Sequence, residues 1–214
     1  MPVPVIVHLL ATTPVETAKV AGRITACKGV RGLELGLAEN TSHGRVRALL
    51  EAVKAESDLP VIVRVPFSRV DSLVPKLAKY GADAITLTAP PRAVLPGSQT
   101  SATVASFVRG RLYGPAVYPL LLNVLSRWAI KAGVPVIACG GITTPEEALT
   151  CLSLGAAAVQ IDAILWKDPD VLNRIAAALV EPAVEVEDMD ALLPIPTRDE
   201  DIPGMELFGF TRKS

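Results

Sequence analysis

The sequence predicts an α/β fold in which parallel strands, each followed by a helix, curl into a TIM-barrel-like (β/α) sheet that is incomplete, with about six strand–helix units. Three observations lead there. Short β-branched apolar runs alternate with longer stretches of helical periodicity up to residue 180. Apolar residues make up 50% of the chain and aromatics only 4%, a composition that suits strands buried under helices. The punctuation also repeats: Pro60 and Pro135 open strands, where a missing N–H is tolerated, and Gly81 and Gly155 close helices.

Strands are expected at residues 3–10, 30–37, 60–66, 82–88, 135–139 and 157–161. Helices are expected at 14–26, 44–56, 70–80, 119–132, 144–154 and 168–180, each carrying periodic apolar positions. Thr144-Pro145-Glu146-Glu147 is the clearest helix start, with a hydroxyl at the N-cap, proline in the first turn and two acids beside the positive end of the helix dipole. Alternation of this kind predicts right-handed crossovers between parallel strands. A complete barrel of eight units takes about 250 residues, so residues 1–180 fall two units short. Exposed strand edges are a liability, and a homodimer covering the open edge is the expected remedy. Residues 181–214 read as a separate acidic, Pro-containing extension that ends in the apolar run Met205-Glu206-Leu207-Phe208-Gly209-Phe210.

Several function classes fall away on composition. The net charge of −1 gives no electrostatic basis for binding nucleic acid. No apolar run approaches the roughly 20 residues that cross a bilayer, and the N-terminus lacks a signal-peptide pattern. The three cysteines, Cys27, Cys139 and Cys151, form neither a CxxC pair nor an even disulfide framework, and no metal site is indicated. A cytoplasmic protein acting on a small molecule that carries phosphate or flavin is the expectation.

Chemistry concentrates in the last third of the chain. Val136-Ile137-Ala138-Cys139-Gly140-Gly141-Ile142 puts two glycines at the C-terminal end of a strand, where backbone N–H groups can approach an anion. The helix opening at Thr144 adds its dipole, and the loops after the last strands of a barrel are the usual phosphate cradle. The plainer reading is a tight turn. Gly110-Arg111-Leu112-Tyr113-Gly114-Pro115-Ala116 is a second loop of unusual backbone demand. Earlier in the chain, Glu34 and Arg64 on neighbouring strands read as a buried ion pair or, alternatively, Arg64 as an anion or cofactor contact. His8, near a strand end, is a candidate acid or base or else a rim residue. Glu39 is a candidate base or a solvated loop acid.

Residues 110–116, Pro119, 135–142 and 155–161 together resemble the dihydroorotate dehydrogenase family, flavin-dependent (β/α) barrels of pyrimidine synthesis. Residues 4–10, 32–37, 59–65 and 81–88 match the family's middle strands in order. The resemblance implies an FMN-binding oxidoreductase, with Gly114, Gly140 and Gly141 against the cofactor, Asp162, Ala163 and Arg64 at further cofactor positions, and Glu39 at the catalytic cysteine position of some members; Arg64 and His8, read from their places on the strands, complete the catalytic candidates. It also exposes departures. Asp162-Ala163 stands where the family has Gly-Thr beside the FMN phosphate, and a carboxylate there repels an anion. Arg64 replaces a lysine and is not a conservative exchange. The family's Asn-x-Ser-Cys-Pro-Asn stretch reads Gly36-Leu37-Ala38-Glu39-Asn40, and a further substrate asparagine is Ala89. Three functions remain in view: an FMN oxidoreductase, a non-catalytic binding or regulatory barrel that has lost flavin, and a flavin-free phosphate-binding barrel enzyme.

Overall fold

A computed structural model describes residues 3–97 and 107–180 of the chain; the C-terminal extension at 181–214 lies outside the described residues. Six parallel strands form one sheet in the order β1 (Val5–Leu10), β2 (Val30–Gly36), β3 (Val61–Pro66), β4 (Ala84–Ala89), β7 (Val136–Cys139), β8 (Ala158–Gln160). The helices are α1 (Pro14–Thr25), α2 (His43–Glu56), α3 (Val70–Tyr80), α4 (Tyr118–Trp128), α5 (Pro145–Ser153) and α6 (Val171–Val180). All six expected strand–helix units are present, curled into part of a barrel with β1 and β8 as its edges.

Alternation along the strands divides the sheet into two faces. Leu33, Leu35, Val61, Val63, Val65, Ile85, Leu87, Val136 and Ala138 are buried and belong to the main core cluster. They meet helix residues such as Leu49, Leu50, Leu73, Leu77, Leu121 and Leu125 in that cluster. The intervening residues, Ile6, His8, Glu34, Ile62, Arg64, Thr86 and Ile137, share the opposite face, which would be the lumen of a closed barrel. The register aligns His8 with Glu34, and Gly36 with Arg64 and then Thr86. With only six strands contributing, that face holds polar residues beside open space, and Ile6 at the β1 edge is half exposed.

Local signals set the element ends. Thr13, Ser42 and Thr144 cap α1, α2 and α5 by accepting from the backbone N–H three residues on. Gly81 closes α3 in the left-handed region, at φ 94°. Asp83 accepts from Val61 N–H at 2.7 Å and pairs with Lys54 at 2.9 Å, which ties the start of β4 to β3 and α2.

One feature departs from the expected alternation. Between β4 and α4 the chain forms an antiparallel ribbon, β5 (Arg92–Pro96) with β6 (Phe107–Arg111). Its residues are almost all exposed, so they carry no two-residue burial pattern for sequence reading to detect. Gly110, read from sequence as the start of a loop, lies in β6.

Candidate functional site

The site builds up from the C-terminal ends of the strands. Glu34, in the middle of β2, is buried. Its Oε1 accepts the Thr86 hydroxyl at 2.6 Å, and its Oε2 lies 2.6 Å from His8 Nδ1. The Arg64 guanidinium stands 3.8 Å from Glu34 and 3.8 Å from Asp162, and donates to Cys139 Sγ at 3.3 Å. Glu34 and Arg64 are therefore neighbours, as the sequence suggested, but the closer partners of Glu34 are His8 and Thr86. Burial pushes the Cys139 thiol up to about 12, against the pull of Arg64, so it stays a neutral thiol.

His8, Gly36, Leu37, Arg64, Tyr113 and Asp162 are among the residues lining a cavity of about 440 Å³ over this face. Next to it, Tyr113, Gly114, Gly141, Asp162 and Ala163 are among those lining a second cavity of about 230 Å³. Asp162 and Tyr113 belong to both. The sequence-derived residues thus converge, with two qualifications. Gly140 lines neither cavity, since a Cβ there would meet Val117 at 3.1 Å. Glu39 lines neither cavity; its carboxylate accepts from Arg92 at 3.0 Å and stands 3.8 Å from Arg111, at the base of the β5–β6 ribbon.

Part of the phosphate-cradle geometry is spent on the chain itself. Glu147 Oε2 accepts from Thr143 N–H at 2.6 Å, from the Thr143 hydroxyl at 2.9 Å and from Thr144 N–H at 3.2 Å. This is a capping box, and it occupies the amides that open α5. At the end of β8, Asp162 accepts from Ala163 N–H. Gly141, at φ 74°, carries no side chain because the backbone of α4 passes over it: a Cβ would lie 2.4 Å from Tyr118 N and 2.9 Å from Gly114 O. The double glycine serves close packing of the Gly114–Tyr118 segment. Among the described residues, no three His, Cys, Asp or Glu side chains gather as a metal site.

Fold and site define a partial (β/α) barrel whose pocket lies at the C-terminal end of its strands. The sequence profile of the dihydroorotate dehydrogenase family matches residues 34–182, and the chain belongs to that family. Among curated relatives, the dihydroorotate dehydrogenase B (NAD(+)) catalytic subunit of Citrifermentans bemidjiense is 29% identical over 204 residues, covering 89% of this chain and 67% of the relative. That of Maridesulfovibrio salexigens is 31% identical, with the same coverage of each. That of Geobacter sp. strain M21 is 30% identical, over 81% of this chain and 61% of the relative. The chain thus spans about two thirds of the length of these relatives. A crystal structure of the Eimeria tenella enzyme in complex with ferulenol shares the fold, with a TM-score of 0.62 at 16% identity, over 79% of this chain and 54% of that one.

Proposed function

We propose that this chain is a flavin-free member of the dihydroorotate dehydrogenase family that holds a small molecule in the cavity bounded by His8, Gly36, Arg64 and Asp162. One observation carries the reading. Three backbone donors beside the double-glycine loop, at Thr143, Thr144 and Ala163, are already bonded to Glu147 and Asp162. A phosphate placed beside them would meet two carboxylates in place of those N–H groups. With the Asp162 carboxylate in this cavity, the residues present do not fit FMN phosphate.

The second reading, an FMN-dependent oxidoreductase of the dihydroorotate type, has its own support. Gly114, Gly141, Asp162 and Ala163 line one cavity, with the Arg64 guanidinium 3.8 Å from Asp162. In that reading Arg64 lies beside the flavin ring, while Gly114, Gly140 and Gly141 lie along the cofactor. Under either reading, the unpaired edges of β1 and β8 favour a homodimer. Among the described residues, no helix is long and apolar enough to cross a membrane.

The full chain purified with FMN present throughout, then passed through a desalting column, separates the two. A spectrum without absorbance near 450 nm is the expected result. One FMN retained per chain overturns the flavin-free reading. Light scattering on the same sample tests the dimer.

A further inference from the structure

On the lumen face, His8 is held in a defined orientation by Glu34. The Thr86 hydroxyl donates to one oxygen of Glu34, and the Arg64 cation stands 3.8 Å from the other. An ionised carboxylate only accepts hydrogen bonds, so against ionised Glu34 the 2.6 Å contact with His8 requires a proton on Nδ1. In the neutral ring Nε2 then carries the lone pair. Nε2 is aimed across Gly36: a Cβ on Gly36 would lie 2.5 Å from Nε2 and 2.8 Å from Cε1. The ring borders both the 440 Å³ cavity and a further space of about 250 Å³ lined by Ile6, Ile62, Ile137 and Gln160 among others.

The charges beside it indicate what the cavity accepts. Arg64 is faced by two carboxylates, Glu34 and Asp162, each at 3.8 Å. Arg111, the other arginine lining the cavity, donates to Pro90 O at 2.7 Å and stands 3.8 Å from Glu39. Both cations already have carboxylate partners, so an added anion gains less there. Polar capacity is nonetheless left over. Arg64 Nε beside the cavity, and Gln160 Oε1 in the adjoining 250 Å³ space, are buried without a hydrogen-bond partner among the described residues. A polar but uncharged ligand satisfies such groups without adding charge.

We propose that His8 is the proton acceptor of this cavity, acting on an uncharged small molecule that presents an O–H or N–H group to Nε2. In the step, the ligand's O–H or N–H bond breaks, its electron pair stays on the ligand, and the proton forms an N–H bond at Nε2. The imidazolium then lies against Glu34, and the same proton returns on reversal, with nothing oxidised or reduced. Glu34 is a positioning residue that acts through the ring. The ligand class rests on the flavin-free reading; the orientation of His8 does not.

The chain has only two histidines, His8 and His43, which makes the test clean. Long-range ¹⁵N–¹H correlation spectra of the full chain, at a pH where the ring is neutral, read the tautomer directly. His8 is expected as the Nδ1–H tautomer, and an Nε2–H tautomer overturns the proposal. Glu34→Gln is expected to mix the tautomers. Gly36→Ala, whose backbone conformation tolerates a side chain, is expected to displace the ring; an unchanged His8 signal in both variants also overturns the proposal. Ligand class is read by diethylpyrocarbonate labelling of His8, with His43 as internal control. Phenol, an uncharged O–H donor, is expected to slow labelling several-fold, and benzoate of the same ring size is not. Equal or greater protection by benzoate, or none by phenol, contradicts the assignment. Bound FMN in the separate absorbance experiment would remove the flavin-free reading and leave the tautomer result standing.

Discussion

Replacing Asp162 measures how far one carboxylate closes the phosphate end of the barrel. Asp162 stands 3.8 Å from the Arg64 guanidinium and accepts from Ala163 N–H. At an effective dielectric constant of about 20, a unit charge pair at that distance is worth about 4 kcal/mol. The Asp162 side chain is 36% exposed, so solvent screening reduces this to roughly 1–2 kcal/mol. An external anion taking its place regains that amount, roughly 5- to 30-fold in affinity. Asp162→Asn removes the charge and keeps an acceptor for Ala163 N–H, whereas Asp162→Gly also frees the amide. Inorganic phosphate followed by calorimetry on wild type and both variants is expected to rank Gly above Asn above wild type. Phosphate binding no tighter in Asp162→Gly than in wild type refutes the reasoning.

Other substitutions probe the frame. Leu35→Ala, in the fully buried face under the helices, is expected to cost about 2–5 kcal/mol in urea unfolding. Gly141→Ala meets both a left-handed φ and the backbone of Tyr118, and is expected to lose at least about 1–3 kcal/mol by the same assay. Burial raises Cys139 from 9.0 to about 12 and Cys151 from 9.0 to about 11. The unfolded thiols therefore ionise first, and stability is expected to fall above pH 9 by about 1.4 kcal/mol per pH unit for each thiol. Cys151→Ala should flatten part of that slope, and an unchanged slope contradicts the assignment. At neutral pH, Cys27, which is exposed, should be the thiol of the three that reacts with Ellman's reagent in the native protein.

The fold was legible because each strand is a short β-branched run with its own boundary signals, and because the faces follow from a period of two. Leu33 and Leu35 point to the helices, so Glu34 between them must face the lumen. The β5–β6 ribbon was not legible, since both its faces meet solvent and its residues carry no alternation. The partner of Glu34 was only half legible. Arg64 was the evident opposite charge, but the 2.6 Å contact with His8 depends on the β1–β2 register, which brings residue 8 level with residue 34. The Thr144–Glu147 capping box was visible as a helix start. That Glu147 also takes the Thr143 amide and hydroxyl depends on the path of the loop after Gly141, which helical periodicity does not report.

Backbone amide spectra of the full chain during titration with FMN test the central claim most directly, since they report on Thr143, Thr144 and Ala163 themselves. With these donors held by Glu147 and Asp162, their signals are expected to stay in place as FMN is added. Saturable shifts of all three at one FMN per chain would contradict the account.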